Sequence, residues 1–129
     1  MADEKLVVLV EDDDFISEMY ATKFQVEGYA FEVAHNGEEG LRLIKEKKPV
    51  LVLCDIILPK MDGFEVLETL KKDPETKMIP VLLLTNLGQK KNIKQGLKLG
   101  AADYIIKAHY TPKEVVEKAK AILNAQNNV

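Results

Sequence analysis

Val50-Leu51-Val52-Leu53-Cys54-Asp55 is an unbroken apolar run that stops at a carboxylate. A run this short and this uniformly apolar suits a strand buried on both faces, as in the middle of a parallel sheet. Three further runs share its form. Upstream, Leu6-Val7-Val8-Leu9-Val10 runs into Glu11, Asp12 and Asp13. Downstream, Val81-Leu82-Leu83-Leu84 runs into Thr85, and Tyr104-Ile105-Ile106 runs into Lys107. Parallel strands end on a common edge, so four distant stretches are predicted to meet there in one pocket.

The segments between these runs carry helical signals. Ile16, Tyr20 and Phe24 recur at intervals of four and form one core-facing stripe that ends before Gly28. Asn36 with Glu39, and Asp62 with Glu65, have capping-box character ahead of apolar helical positions. Asp73-Pro74 stops the second of these helices. Thr111-Pro112-Lys113-Glu114 combines a cap, a proline at the first helical position and a glutamate at the third. The stretch from about 89 to 99 has the weakest helical signal, because Gly96 interrupts a lysine-rich segment. With a mixed strand at about 30–34, strands are predicted at about 5–10, 30–34, 50–54, 80–84 and 103–106.

Strict alternation of strands and helices with right-handed crossovers favours an α/β fold: a doubly wound, five-stranded parallel sheet in the order 2-1-3-4-5, a flavodoxin-like (βα)5 arrangement. Strands 1 and 3 then flank the switch point where ligands bind, which groups Glu11, Asp12 and Asp55. The chain of 129 residues suits one domain, 1–129, with its core at about 5–125 and a fraying tail at 126–129. The net charge of -3 gives no electrostatic footprint for direct nucleic-acid binding. Cys54 is the only cysteine, the start Met1-Ala2-Asp3-Glu4-Lys5 has no signal-peptide pattern, and the apolar runs are too short for membrane insertion. The expectation is a cytoplasmic protein.

Three carboxylates brought together repel one another unless one takes a proton or a cation neutralises them. A hard divalent ion such as Mg²⁺, with carboxylates, waters and a phosphoryl oxygen around it, is a common solution. Lys107 adds positive charge and Thr85 a hydroxyl donor, so the set can hold three phosphoryl oxygens. Asp55 ends the central strand and is best placed to be the nucleophile of an aspartyl phosphate. Taken singly, Asp55 reads as a turn or capping aspartate and Thr85 as an ordinary strand residue; their company changes the reading. Asp13 and Asp14 read as the solvated start of the first helix. Cys54 reads as inert core, and His35 and His109 as exposed loop residues.

Here the chain resembles the receiver domains of two-component response regulators, in the single-domain, chemotaxis-type form. The segment Asp55-Ile56-Ile57-Leu58-Pro59-Lys60-Met61-Asp62-Gly63 is similar to the family's phospho-acceptor signature. Glu11-Asp12 matches its acidic pair, Thr85 its hydroxyl, Lys107 its lysine and Tyr104 its aromatic switch position. The resemblance spans about 5–125. It implies that Asp55 takes a phosphoryl group from a sensor histidine kinase or a histidine phosphotransfer protein. It also implies that Asp12 and Asp55 bind Mg²⁺ through their side chains, with Ile57 contributing its backbone carbonyl and Glu11 acting through water. Thr85 is then expected to move toward the phosphoryl group while Tyr104 turns inward. That population shift alters the face formed by helix 4, strand 5 and helix 5, which binds a downstream protein target or a second copy.

Some positions depart from the family pattern. Asn86 stands where a small residue is usual, and it either narrows access or donates a hydrogen bond to the phosphoryl group. Ile57 and Leu87 lie two residues beyond Asp55 and Thr85, where apolar side chains cannot orient an attacking water, so the phosphorylated form is expected to be long-lived. Ala108 follows Lys107 where the family usually has proline in a cis bond. A cis bond before a non-proline costs about 3 kcal/mol, so a trans or more mobile loop is expected there. Phe15 and Met19 lie beside the core stripe of the first helix, as a docking patch for a kinase helix bundle or as partly buried core.

Rival functions are weaker. A Mg²⁺-dependent phosphohydrolase with an aspartate nucleophile usually carries a second acid two residues on, where this chain has Ile57. A flavodoxin-like electron carrier needs a Gly/Thr-rich phosphate loop after strand 1, and Glu11, Asp12 and Asp13 stand there instead. An interaction module independent of phosphorylation does not require the acceptor residues at all. No output domain is read after the last helix.

Overall fold

A computed structural model of the chain describes residues 5–127. Five strands, β1 (Leu6–Val10), β2 (Ala30–Ala34), β3 (Leu51–Cys54), β4 (Val81–Thr85) and β5 (Asp103–Ile106), alternate with five helices. These are α1 (Asp14–Val26), α2 (Gly37–Lys47), α3 (Gly63–Lys72), α4 (Lys90–Lys98) and α5 (Pro112–Asn127), with a 3-10 turn at Lys107–His109 before α5. All pairings are parallel and the order is β2-β1-β3-β4-β5, as the alternation predicts. The mixed strands β2 and β5 take the edges, and β1, β3 and β4, apolar except for Thr85 at the end of β4, lie at the centre.

Side-chain alternation divides the core between the two sheet faces. Val7, Leu9, Leu51, Leu53, Leu82 and Leu84 pack with Tyr20 and Phe24 of α1 and Val115 and Val116 of α5. Val8, Val10, Val52, Cys54, Val81 and Leu83 pack on the other face with Ile44 of α2 and Val66, Leu67 and Leu70 of α3. Burying each such aliphatic side chain contributes about 1.5–3 kcal/mol, so the two layers hold the strand ends rigidly in place.

Side-chain caps start the helices where the sequence predicts. Asp13, Asn36 and Asp62 each accept from the backbone N–H three residues on, all at 2.9 Å. Thr111 and Glu114 make the reciprocal capping box, at 3.2 and 2.9 Å. α4 forms without a side-chain cap, from Gln89, despite Gly96. That glycine faces the sheet: a Cβ there would lie 2.6 Å from Leu83 Cδ1 and 3.1 Å from Tyr104 Cδ2, so its absence lets the short helix sit close.

Several boundaries differ from expectation by a residue or two: β1 begins at Leu6 and β4 spans Val81–Thr85. β3 begins at Leu51, with Val50 exposed before it. α5 spans Pro112–Asn127, so residues 126 and 127 of the expected tail are helical, and residues 128 and 129 lie outside those described. No helix among the described residues is long and apolar enough to cross a membrane.

Candidate functional site

The carboxyl edge of the sheet is assembled by the ladder. Pairing of β1 with β3 ends at Val10↔Cys54, so Glu11 and Asp55 leave neighbouring strands side by side. Pairing of β4 with β5 ends at Thr85↔Ile106, which puts Lys107 one residue beyond the last rung. Backbone bonds carry the order one step further, from Glu11 N–H to the Ala34 carbonyl (2.9 Å) and from Asp55 N–H to the Val10 carbonyl (3.0 Å).

Glu11, Asp12 and Asp55 offer carboxylate oxygens that all lie within 4.8 Å of one another. Glu11 and Asp55 are nearly sealed, at 1% and 7% exposed, while Asp12 is open to solvent. Buried carboxylates need partners. Lys107 Nζ donates to Glu11 Oε1 at 2.5 Å and to Asp55 Oδ2 at 2.8 Å. Asp55 Oδ1 accepts from the backbone N–H of Ile56 at 2.7 Å and, more loosely, of Ile57 at 3.4 Å. Both carboxylate oxygens of Asp55 are therefore anchored. Glu11 Oε2 accepts from Asp13 N–H at 3.1 Å.

The electrostatics follow from this packing. Burial pushes the Glu11 carboxyl above its ordinary value, and the Lys107 hydrogen bond offsets that only in part. Burial opposes the charge on Lys107, but its bonds to Asp55 and Glu11 outweigh burial and hold the ammonium above the usual lysine range. Three carboxylates face one ammonium, and the excess negative charge suits a divalent cation held by oxygen ligands. The chemistry open to such a site is binding of a phosphoryl group and its transfer to a carboxylate.

The remaining predicted residues form a second group beside the first. Thr85 is fully buried, and its Oγ1 accepts from Leu87 N–H at 3.4 Å. The Tyr104 hydroxyl donates to the Leu87 carbonyl at 2.5 Å, tying β5 to the loop before α4. Burial first, and the Asp55 charge second, push its phenol above the ordinary value. Asn86 Oδ1 accepts from Ala108 N–H at 3.1 Å, so its carbonyl end is engaged with the turn after β5. No peptide bond among the described residues is cis, in keeping with alanine rather than proline at 108. Ile57 projects into solvent at 63% exposed.

Sequence reading missed three features. His35 is exposed as expected, yet its Nδ1 lies 3.2 Å from the Glu11 carbonyl, at the rim of the acidic group. Gly63 passes so close to Asp55 that a Cβ would lie 2.1 Å from the Asp55 carbonyl oxygen. The Asn86–Ala108 bond joins residues far apart in sequence. Gly63 could have been found from its place in the acceptor signature; the other two depend on side-chain direction, which no periodicity reports.

Comparison with known proteins agrees with this geometry. The family model described as response regulator receiver domain matches residues 7–120. The phosphate regulon transcriptional regulatory protein PhoB of Pseudomonas aeruginosa is 39% identical over 119 residues, covering 92% of this chain and 52% of that protein. The chain thus spans about half the length of the curated relatives it matches. A CheY-like response regulator receiver domain protein of Methanospirillum hungatei superposes with a TM-score of 0.91 at 32% identity, covering 98% of each chain. The BeF3-activated N-terminal receiver domain of Klebsiella pneumoniae RstA superposes with a TM-score of 0.85 at 30% identity, over 92% of this chain and 97% of that one.

Proposed function

This chain belongs to the response regulator receiver domain family of two-component signal transduction, and from that premise we propose that Asp55 accepts a phosphoryl group from the phosphohistidine of a sensor histidine kinase or a histidine phosphotransfer protein. The observation that carries the reading is the Lys107 ammonium bridging Glu11 and Asp55 at the carboxyl edge of the sheet. A carboxylate oxygen of Asp55 attacks phosphorus, the P–N bond to the donor imidazole breaks, and its electron pair stays on that nitrogen. Lys107 then exchanges a carboxylate partner for a phosphoryl oxygen, which keeps its ammonium paired.

Asp12 and Asp55 would hold Mg²⁺ through their side chains, with the Ile57 backbone carbonyl, and Glu11 would act through an intervening water. When bound, the ion neutralises charge on the phosphoryl oxygens. The chain acts in the cytoplasm as a signalling protein rather than as a turnover enzyme. Thr85 and Tyr104 relay the state of Asp55. A shift of Thr85 toward the phosphoryl group draws Asn86 and Leu87 with it, and the Leu87 carbonyl is what the Tyr104 hydroxyl binds. The face built from α4, β5 and α5 changes accordingly and binds a downstream protein or a second copy. Beryllofluoride with Mg²⁺ tests this reading: amide resonances of Asp55, Thr85, Tyr104 and Lys107 are expected to shift together, and an unchanged spectrum would contradict it.

The donor docks beside α1. Phe15 and Val26 are 79% and 73% exposed, and Met19 lies between them on the same helix. Met19 also borders a cleft lined by Tyr20, Asn86, Lys107, Ala108 and Tyr110, which opens next to the acceptor. This supports the docking alternative for Phe15 over burial in the core. Met19→Lys is expected to slow transfer from a kinase while leaving modification by acetyl phosphate unchanged; normal transfer from the kinase would count against docking here.

A further inference from the structure

Two sets of hydrogen bonds converge on Lys107. The first holds its ammonium between Glu11 and Asp55. The second holds its backbone. Ile106, just before it, is the last β5 residue in register with β4, opposite Thr85. Ala108, just after it, donates its backbone N–H to Asn86 Oδ1 at 3.1 Å. The Asn86 side chain therefore extends the ladder by one rung, with a carboxamide oxygen in the place of a backbone carbonyl.

The turn needs such a rung. Ala108 and His109 are exposed, and the turn's own bond, from Tyr110 N–H to the Lys107 carbonyl, is long at 3.3 Å. A segment with little buried apolar surface and weak internal bonding opens easily. Proline has no N–H, so alanine at 108 is also what makes this bond available.

We propose that Asn86 is a positioning residue for Lys107: its carboxamide ties the Lys107–His109 turn to the end of β4 and so fixes the ammonium over Asp55. The consequence for phosphorylation rests on Asp55 being the acceptor; the tether itself does not. Because Asn86 follows Thr85 directly, displacement of Thr85 also pulls on the turn that carries Lys107. Asn86 acting only as a steric cover over the acceptor makes the opposite prediction, since removing a cover speeds entry of a small donor.

The test compares wild type, Asn86→Ala and Asn86→Asp, the last keeping an acceptor oxygen at the same reach. Hydrogen exchange is read at the Ala108 amide and at the Lys107 ammonium, and modification by acetyl phosphate with Mg²⁺ is timed. The Ala108 amide is expected to be protected in wild type and in Asn86→Asp, and to exchange freely in Asn86→Ala. Modification of Asn86→Ala is expected to slow roughly threefold to tenfold, the scale of one neutral hydrogen bond. An equally protected Ala108 amide in Asn86→Ala, or a modification rate that stays level or rises, would overturn the proposal. Wild type that is never modified would refute the acceptor reading separately. The Lys107 ammonium then decides: faster exchange in Asn86→Ala supports the tether, and unchanged exchange overturns it.

Discussion

The Lys107 ammonium is held between Glu11 and Asp55, and both carboxylates favour its charged form. The folded state holds the Lys107 proton more tightly than the unfolded chain does. Its contribution to stability is fully present below the ordinary lysine value and is lost as pH rises through the folded one. Glu11 is displaced upward too, chiefly by burial, so its contribution is complete below the ordinary glutamate value and is lost as pH rises through its folded value. Lys107→Met strands two buried carboxylates and is expected to cost about 3–5 kcal/mol at neutral pH. That difference from wild type shrinks in acid, where Glu11 takes a proton, and in strong alkali, where Lys107 loses its own. Urea unfolding across the pH range checks this; a difference independent of pH would show that the ion pairs contribute nothing.

At the scale of elements, two glycines set how closely helices approach the strand ends. A Cβ at Gly63 would meet the backbone of Asp55 and Ile56, at 2.1 and 2.7 Å, and neither can swing aside as a side chain can. Gly63→Ala is therefore expected to destabilise by more than about 3 kcal/mol and to disturb binding of beryllofluoride. Unchanged stability would contradict the packing. Gly96→Ala sets a helix-propensity gain of about 1 kcal/mol against overpacking of Leu83 and Tyr104 that costs about 1–3 kcal/mol. Net destabilisation with a displaced Tyr104 resonance is expected, and net stabilisation would mean that α4 is free to lift. The elements themselves were legible in the sequence, because apolar runs of four or five residues and cap signals such as Thr111 with Glu114 are local. So was the meeting of Glu11, Asp55 and Lys107, because parallel strands end on one edge. What stayed hidden depends on rotamers that bring distant segments together: His35 reaching the Glu11 carbonyl and Asn86 reaching Ala108. The far end of α5 was hidden as well, since a polar helical turn and a frayed one have similar composition.

For the whole molecule, chemistry and timing come from different residues. On the proposed reading Glu11, Asp12, Asp55 and Lys107 would carry the chemistry, whereas the side chains of exposed Ile57 and of Leu87 give an attacking water no hydrogen-bond partner. The phosphorylated protein is expected to persist for minutes or longer in Mg²⁺, and Ile57→Asn to shorten that lifetime; spontaneous loss within seconds in wild type would refute this. The central claim is that Asp55 is the phosphoryl acceptor. Intact-mass measurement after incubation with acetyl phosphate and Mg²⁺, on wild type and on Asp55→Asn, tests it most directly. Wild type is predicted to gain one phosphoryl group, labile in alkali as an acyl phosphate is, and Asp55→Asn none. An unmodified wild type, or equal modification of Asp55→Asn, would contradict it.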